Sequence, residues 1–306
     1  MANNELAASI AEDLRSTFIK LPRVVRILDR ATQLIETNWG NSEPDPLVVL
    51  GETGLGKSTL LKHILSKHPR IEHETLSEIP VLYVEVPARS TIPRLSGEML
   101  KSIGLPFQIK GDDGEAALVT LIKECRIKLV ILDEMNHMVD RGRSRTHYNV
   151  GDWVKQMSHK AGASFLLAGT PRAANLLKTN EQLGDRFAEV VSLRPLAGKE
   201  FSAALKVFQA HLGRVDSVDL TSPALLKLMA FATGGRLRAI RRLLVRAVEI
   251  GLCSSEPRID IPALTRAFSE VIYADAPNSR NPFSPRFNGH PLTKAGEPFA
   301  PRAEYT

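Results

Sequence analysis

Apolar residues follow two rhythms along the chain. Over residues 1–40 they recur at helical spacing, with Leu21, Val24, Val25, Ile27, Leu28, Ala31 and Leu34 in register, until NSEPDP at 41–46 breaks the helix. The rhythm then changes to short continuous apolar, β-branched runs: LVVLG (47–51), IPVLYVEVP (79–87), KLVILDEM (128–135), ASFLLAGT (163–170) and EVVSLRPL (189–196). Runs of this kind suit strands buried on both faces of a parallel sheet, and helical segments between them predict a doubly wound α/β domain of five strands. After Pro195 the strands stop, and GKEFSAALKVFQAHLG, SPALLKLMAFATGG, RLRAIRRLLVRAVEIG and DIPALTRAFSEVIYAD predict four helices punctuated by Gly and Pro. The expected organisation is a helical segment (1–41), an α/β core (42–197), a small all-helical domain (198–275) and a tail rich in Pro, Gly and Asn (276–306).

A chain of 306 residues, 43% hydrophobic, is long enough to bury a sizeable core without staples. Forty Lys and Arg against 34 Asp and Glu give a net charge of +6, which tilts the partner list toward polyanions. Cys125 and Cys253 lack metal-ligand spacing and are too few for a disulfide framework, which points to a reducing compartment. Nothing resembles a signal peptide or reaches the ~18 apolar residues of a membrane span, so a soluble, cytoplasmic protein with no membrane partner is expected.

Candidate chemistry concentrates after the first strand. In GETGLGKST, residues Gly51, Glu52, Thr53, Gly54, Leu55, Gly56, Lys57, Ser58 and Thr59 satisfy the phosphate-loop pattern between an apolar strand and an amphipathic helix. The glycines let backbone N–H groups wrap phosphates, Lys57 reaches the β/γ oxygens and the Ser58 hydroxyl ligates Mg²⁺, so ATP and Mg²⁺ are the implied ligands. LVILDE supplies the second half: Asp133 ends the strand, where it holds Mg²⁺ through water, and Glu134 orients or deprotonates the attacking water. Thr170, at the tip of the next strand, either touches that water or caps the following helix. Arg186, before the fifth strand, either completes a neighbouring subunit's site or makes a surface ion pair. In TGGRLRAIRRLLVRAVEIG, Arg238, Arg241, Arg242 and Arg246 fall opposite the apolar face, and Arg238 sits one turn into the helix.

Together these pieces resemble an AAA+ P-loop NTPase. Over residues 20–273 the chain resembles more narrowly the TniB/TnsC group of transposition ATPases, to which MuB is functionally akin, through LPRVVRILDRATQLIE, VLYVEVPARSTIPRLSGEMLKSIGLP, DEMNHM and LLAGTPRAANLLKTNEQLGDRF. The resemblance implies an ATPase that assembles on double-stranded DNA as a homo-oligomeric ring or helical filament, without sequence preference. It implies a transposase as the recruited partner and a target-selection protein as a further one, in the bacterial cytoplasm. It also implies Lys57, Ser58, Asp133 and Glu134 as the nucleotide and hydrolysis residues, Thr170 as the first sensor, Arg186 as the arginine finger, and Arg238, with Arg236 as rival, as the second sensor. Two basic stretches offer phosphate contacts, PARSTIPR with Arg89, Thr91 and Arg94, and DRGRSRTHY with Arg141, Arg143 and Arg145; each is otherwise a solvated loop. The alternatives are a replication-initiation or secretion ATPase sharing every catalytic residue, or a signalling NTPase switch with no DNA partner. The tail is expected to be disordered, or else a docking peptide anchored by Phe283, Phe287 and Phe299.

Overall fold

The computed structural model describes the chain apart from residues 1, 38–39, 41–43, 45, 75–76, 89, 106–111, 140–143, 175–188 and 302–306. Its internal contacts divide it into two units: Pro22–Thr53 with Lys57–Leu193, and Met1–Leu21 with Gly54–Gly56 and Arg194–Thr306. The N-terminal helix α1 (Ala2–Ser16) belongs to the second of these. The helical segment expected over 1–41 is therefore two helices with different allegiances, parted at residues 17–21.

The first unit runs α2 (Pro22–Thr37), β1 (Leu47–Gly51), α3 (Lys57–Lys67), β2 (Ile71–Glu72), β3 (Ser77–Glu78), β4 (Val81–Glu85), α4 (Ile92–Ile103), α5 (Asp112–Glu124), β5 (Leu129–Asp133), α6 (Asn136–Val139), α7 (Ser144–Ala161), β6 (Ser164–Gly169) and, after a 3₁₀ turn at Pro171–Ala173, β7 (Val190–Leu193). Five strands pair in parallel in the order β4-β5-β6-β1-β7. All residues of β1, β5 and β6 are buried, as their uninterrupted apolar runs require, whereas β7, at the sheet edge, buries only Leu193. Side chains alternate across the sheet. One face sends Val48, Leu50, Leu82, Val84, Val130, Leu132, Phe165 and Leu167 into a cluster with residues of α4, α5 and α7. Helices α2 and α3 approach strands of the same sheet. The antiparallel pair β2–β3 is too short and too exposed to leave an apolar signature in the sequence.

The second unit holds α8 (Gly198–Leu212), α9 (Pro223–Thr233), α10 (Leu237–Leu252) and α11 (Ile261–Val271). Local chemistry sets their ends: the Asp260 carboxylate accepts the Ala263 N–H at the start of α11, and Pro223 opens α9, which Gly234 closes. Helix α1 buries Ala7, Ile10, Ala11 and Leu14, a helical stripe, against α10 and α8. Of the arginines opposite the apolar face of α10, Arg238 and Arg242 are exposed, whereas Arg241 is half-buried and its Nη2 donates to the Thr17 carbonyl. Arg246 pairs with Glu249 and Glu270.

The tail also departs from expectation. Residues 277–301 contain no α-helix or strand, yet they are fixed against the helical unit. Arg280 and Glu297 form a buried bidentate pair, Nε to Oε1 at 2.6 Å and Nη2 to Oε2 at 2.7 Å, and Arg280 also donates to Asn288 and to the Pro291 carbonyl. Burial alone raises the Glu297 carboxyl, but the Lys294 N–H and the Arg280 guanidinium outweigh it and hold the group below the usual glutamate range. Asn281 donates to the Thr265 carbonyl of α11. Phe283 meets Phe268 and Phe287 meets Phe231 edge-on, with ring centroids 6.4 and 5.3 Å apart. The three phenylalanines expected to anchor a free peptide on a partner are already engaged within the chain.

Candidate nucleotide site

In a parallel sheet whose strand order reverses, ligands bind beyond the carboxyl ends of the strands at the reversal. Here β1 is followed in the sheet by β4, β5 and β6 on one side and by β7 on the other, so the reversal lies at β1. The loop after β1 turns through Gly54 at φ 87° and Gly56 at φ 98°, values that a side chain disfavours, and delivers the chain into α3 at Lys57. Lys57 is buried, and its Nζ donates to the carbonyls of Gly51 (2.6 Å) and Glu52 (3.2 Å). The amine is thus held over the loop. Leu55 is buried, while Ser58 and Thr59, in the first turn of α3, are half-buried. The loop tip, Gly54–Gly56, groups with the helical unit, where the Arg238 N–H donates to the Gly54 carbonyl at 3.0 Å.

Asp133 closes β5 and is 1% exposed. Both its oxygens are engaged: Oδ1 accepts the Glu134 N–H at 2.8 Å and Oδ2 accepts the Tyr83 hydroxyl at 3.0 Å. Burial first, then the neighbouring Asp133 and its hydrogen bond, push the Tyr83 hydroxyl well above its ordinary range, so it remains a donor. Glu134 adopts φ 57°, a left-handed conformation unusual for a side-chain-bearing residue, and its carbonyl accepts the His137 N–H. Its side chain is half-buried. His137 is a pin: its Nδ1 donates to the Val86 carbonyl at 2.8 Å, which ties α6 to the end of β4.

Thr170 follows β6, the strand between β5 and β1. Its N–H donates to Asn136 Oδ1 at 3.1 Å, while its hydroxyl is buried and has no partner. An orphaned buried hydroxyl at the end of a central strand is a polar group shaped for something that binds there. It also removes the capping alternative, because Thr170 makes no side-chain cap to the following turn.

The three strand ends therefore bring together an ammonium, a hydroxyl-bearing helix start, two adjacent carboxylates and an unsatisfied hydroxyl. Such a set fits a magnesium nucleoside triphosphate: Lys57 and the loop for its phosphates, Ser58 and Asp133 for the ion, Glu134 for a water. Tyr83 and Asn136 were missed in the sequence. Tyr83 reads as an ordinary strand residue, and only its β4 position beside β5 reveals that it serves Asp133.

The remaining sequence candidates are spread wider. Arg89, Arg141, Arg143 and Arg186 lie outside the described residues, and Arg145 is on α7 with its side chain likewise outside them. Thr91 caps α4 by accepting the Arg94 N–H, and Arg94 donates to the Ala88 carbonyl; both are exposed. Arg236 stands at the N-cap position of α10 without a side-chain cap, its guanidinium 5.0 Å over the ring of Phe299, whereas Arg238 is exposed in the first turn. Among the described residues no group of His, Cys, Asp and Glu forms a metal cluster, and no helix is long and apolar enough to cross a membrane.

A family model described as bacterial TniB protein matches residues 9–195. No curated protein sequence matches the chain. Among solved structures it is similar to Cdc6p from Pyrobaculum aerophilum, with 15% identity, TM-score 0.57, and coverage of 81% of this chain and 67% of that one. The ORC1 protein of Aeropyrum pernix in complex with DNA is 16% identical with TM-score 0.57, over 82% of this chain and 64% of that one. RuvB of Thermotoga maritima, a Holliday junction branch migration motor, is 18% identical with TM-score 0.51, over 83% and 70%. The chain thus spans about two thirds of the length of these proteins. Identities so low speak of fold alone, and the fold is that of AAA+ P-loop NTPases.

Proposed function

The chain belongs to the TniB family, and on that premise we propose that it is an ATPase that oligomerises on duplex DNA without sequence preference and recruits and activates a transposase. The observation that carries this reading is the convergence of Lys57, Asp133, Glu134 and the unpartnered Thr170 hydroxyl at adjacent strand ends. In the proposed reaction, the loop glycines and Lys57 bind the ATP phosphates, and Glu134 takes a proton from the attacking water. Thr170 orients that water or the γ-phosphate through its free hydroxyl. Mg²⁺, held by Ser58 and through water by Asp133, would neutralise charge on the phosphate oxygens. In this reading Arg238 is the second sensor and Arg186 of a neighbouring copy is the arginine finger, so assembly and nucleotide state are coupled.

Tyr83 tests the geometry around Asp133. Tyr83→Phe removes one of the two donors on that carboxylate, and a hydrogen bond to a charged group contributes about 1.5–3 kcal/mol. Turnover of ATP is expected to fall about tenfold or more while nucleotide affinity is kept. Steady-state hydrolysis with parallel binding titrations reads this out, and unchanged turnover would show that Asp133 is held by its other contacts.

The positive charge of +6, with Arg94 and Thr91 exposed at the start of α4, supports the DNA reading. Phosphate-led binding carries a steep salt dependence: a complex that neutralises 6–10 phosphates loses ~10³–10⁵ in affinity between 50 and 200 mM salt. Retardation of random-sequence duplex should therefore require ATP or a non-hydrolysable analogue and weaken steeply over that range. Binding indifferent to both nucleotide and salt would sink the proposal. ATP hydrolysis with no DNA retardation would favour a nucleotide switch instead.

A further inference from the structure

The turn between α9 and α10 sits at a junction of two sets of contacts within the helical unit. On one side, the first turn of α10 is tied to the phosphate-loop tip: besides the Arg238 N–H bond to Gly54, a Cβ placed on Gly54 would stand 3.3 Å from Arg238 Cβ. On the other side, the tail covers the same turn. Phe299 is 8% exposed, and a Cβ placed on Gly234 would lie 2.8 Å from its ring. The same ring carries the guanidinium of Arg236 on its face.

Phe299 owes its place to the buried clip upstream of it. The Arg280–Glu297 pair closes residues 280–297 into a loop, and the Phe299 N–H donates to the carbonyl of the buried Leu292. Both side chains of the pair are largely covered, and Arg280 is held further by Asn288 and the Pro291 carbonyl, so the loop is tied at several points. The position of the ring is therefore specified by the clip, and the α9–α10 turn by the ring. We propose that residues 277–301 form a strap whose Arg280, Glu297 and Phe299 act as positioning residues for the nucleotide site, setting ATP affinity through the start of α10 that carries Arg238. Removing the ring takes one contact away from Arg236 and the packing away from Gly234, and so loosens the helix start that meets the loop.

This inference rests on the ATP reading above, and the test separates the two. Full-length Phe299→Ala and Glu297→Gln are compared with the unaltered protein in titrations with a fluorescent ATP analogue, in steady-state kinetics and in amide hydrogen exchange. Loss of a cation–aromatic contact and its packing should raise KM for ATP about tenfold with a smaller change in kcat. Exchange at the amides of residues 236–240 should quicken in both variants, and Phe299→Tyr, which keeps the ring, should restore both readouts. Should Phe299→Ala fail to fold, Phe299→Leu keeps apolar volume without a ring face and is read in the same way. If the unaltered protein binds no ATP, both readings fall. If it binds ATP and the variants match it in affinity and in exchange at 236–240, the strap proposal alone is overturned.

Discussion

Glu134→Gln binds ATP as the unaltered protein does and hydrolyses it about two to four orders of magnitude more slowly, the range associated with loss of a general base. The expectation follows from how the residue is held. Asp133 is locked by two hydrogen bonds and buried, so it is suited to fixed electrostatic work, whereas Glu134 leaves the strand through a left-handed turn with its side chain half-buried. The amide keeps that geometry and removes only the basicity. ATP-dependent complexes on duplex DNA should consequently live longer, because the step that ends them is blocked. Rapid-quench hydrolysis beside dissociation rates from DNA measures both, and near-normal turnover would remove Glu134 from its proposed role.

Lys57→Ala produces the opposite phenotype. Its amine is buried over the loop on two carbonyl oxygens, where a triphosphate would meet it as a desolvated charge. Charge-assisted hydrogen bonds of this kind contribute about 1.5–3 kcal/mol each, so ATP affinity should drop about a hundredfold. Nucleotide-dependent retardation of DNA should vanish with it. The far-ultraviolet circular dichroism should be unchanged, since the loop is anchored by β1 and α3 on either side. Retained affinity in this variant would place the phosphates elsewhere.

Much of the architecture was legible because a strand buried on both faces has no freedom in composition. LVVLG, KLVILD and SFLLAG announce central strands, and the phosphate loop follows from glycines that must take positive φ. Amphipathic spacing in residues 2–16 indicates that one face must be buried but says nothing about which surface buries it, and the answer, α10 (Leu237–Leu252) and α8 (Gly198–Leu212), lies far along the chain. The tail was misread for a related reason. Its order comes from three separated aromatic rings and one charge pair spanning positions 280 and 297, with no period for a local scan to detect. Tyr83 was invisible as a functional residue because its partner, Asp133, is fifty positions away. Where chemistry depends on neighbours along the chain it could be read, and where it depends on neighbours across strands it could not.

The allegiance of α1 has a consequence for how the protein is made. A helical unit assembled from Met1–Leu21, Gly54–Gly56 and Arg194–Thr306 joins stretches made well apart in time, with most of the other unit synthesised between them. During synthesis, the apolar stripe of Ala7, Ile10, Ala11 and Leu14 must therefore wait uncovered until α10 emerges, an interval in which nascent chains are open to chaperones and to one another. Folding of this unit cannot finish before α10 is made, and a chain cut short ahead of it leaves the apolar stripe of α1 open to aggregation.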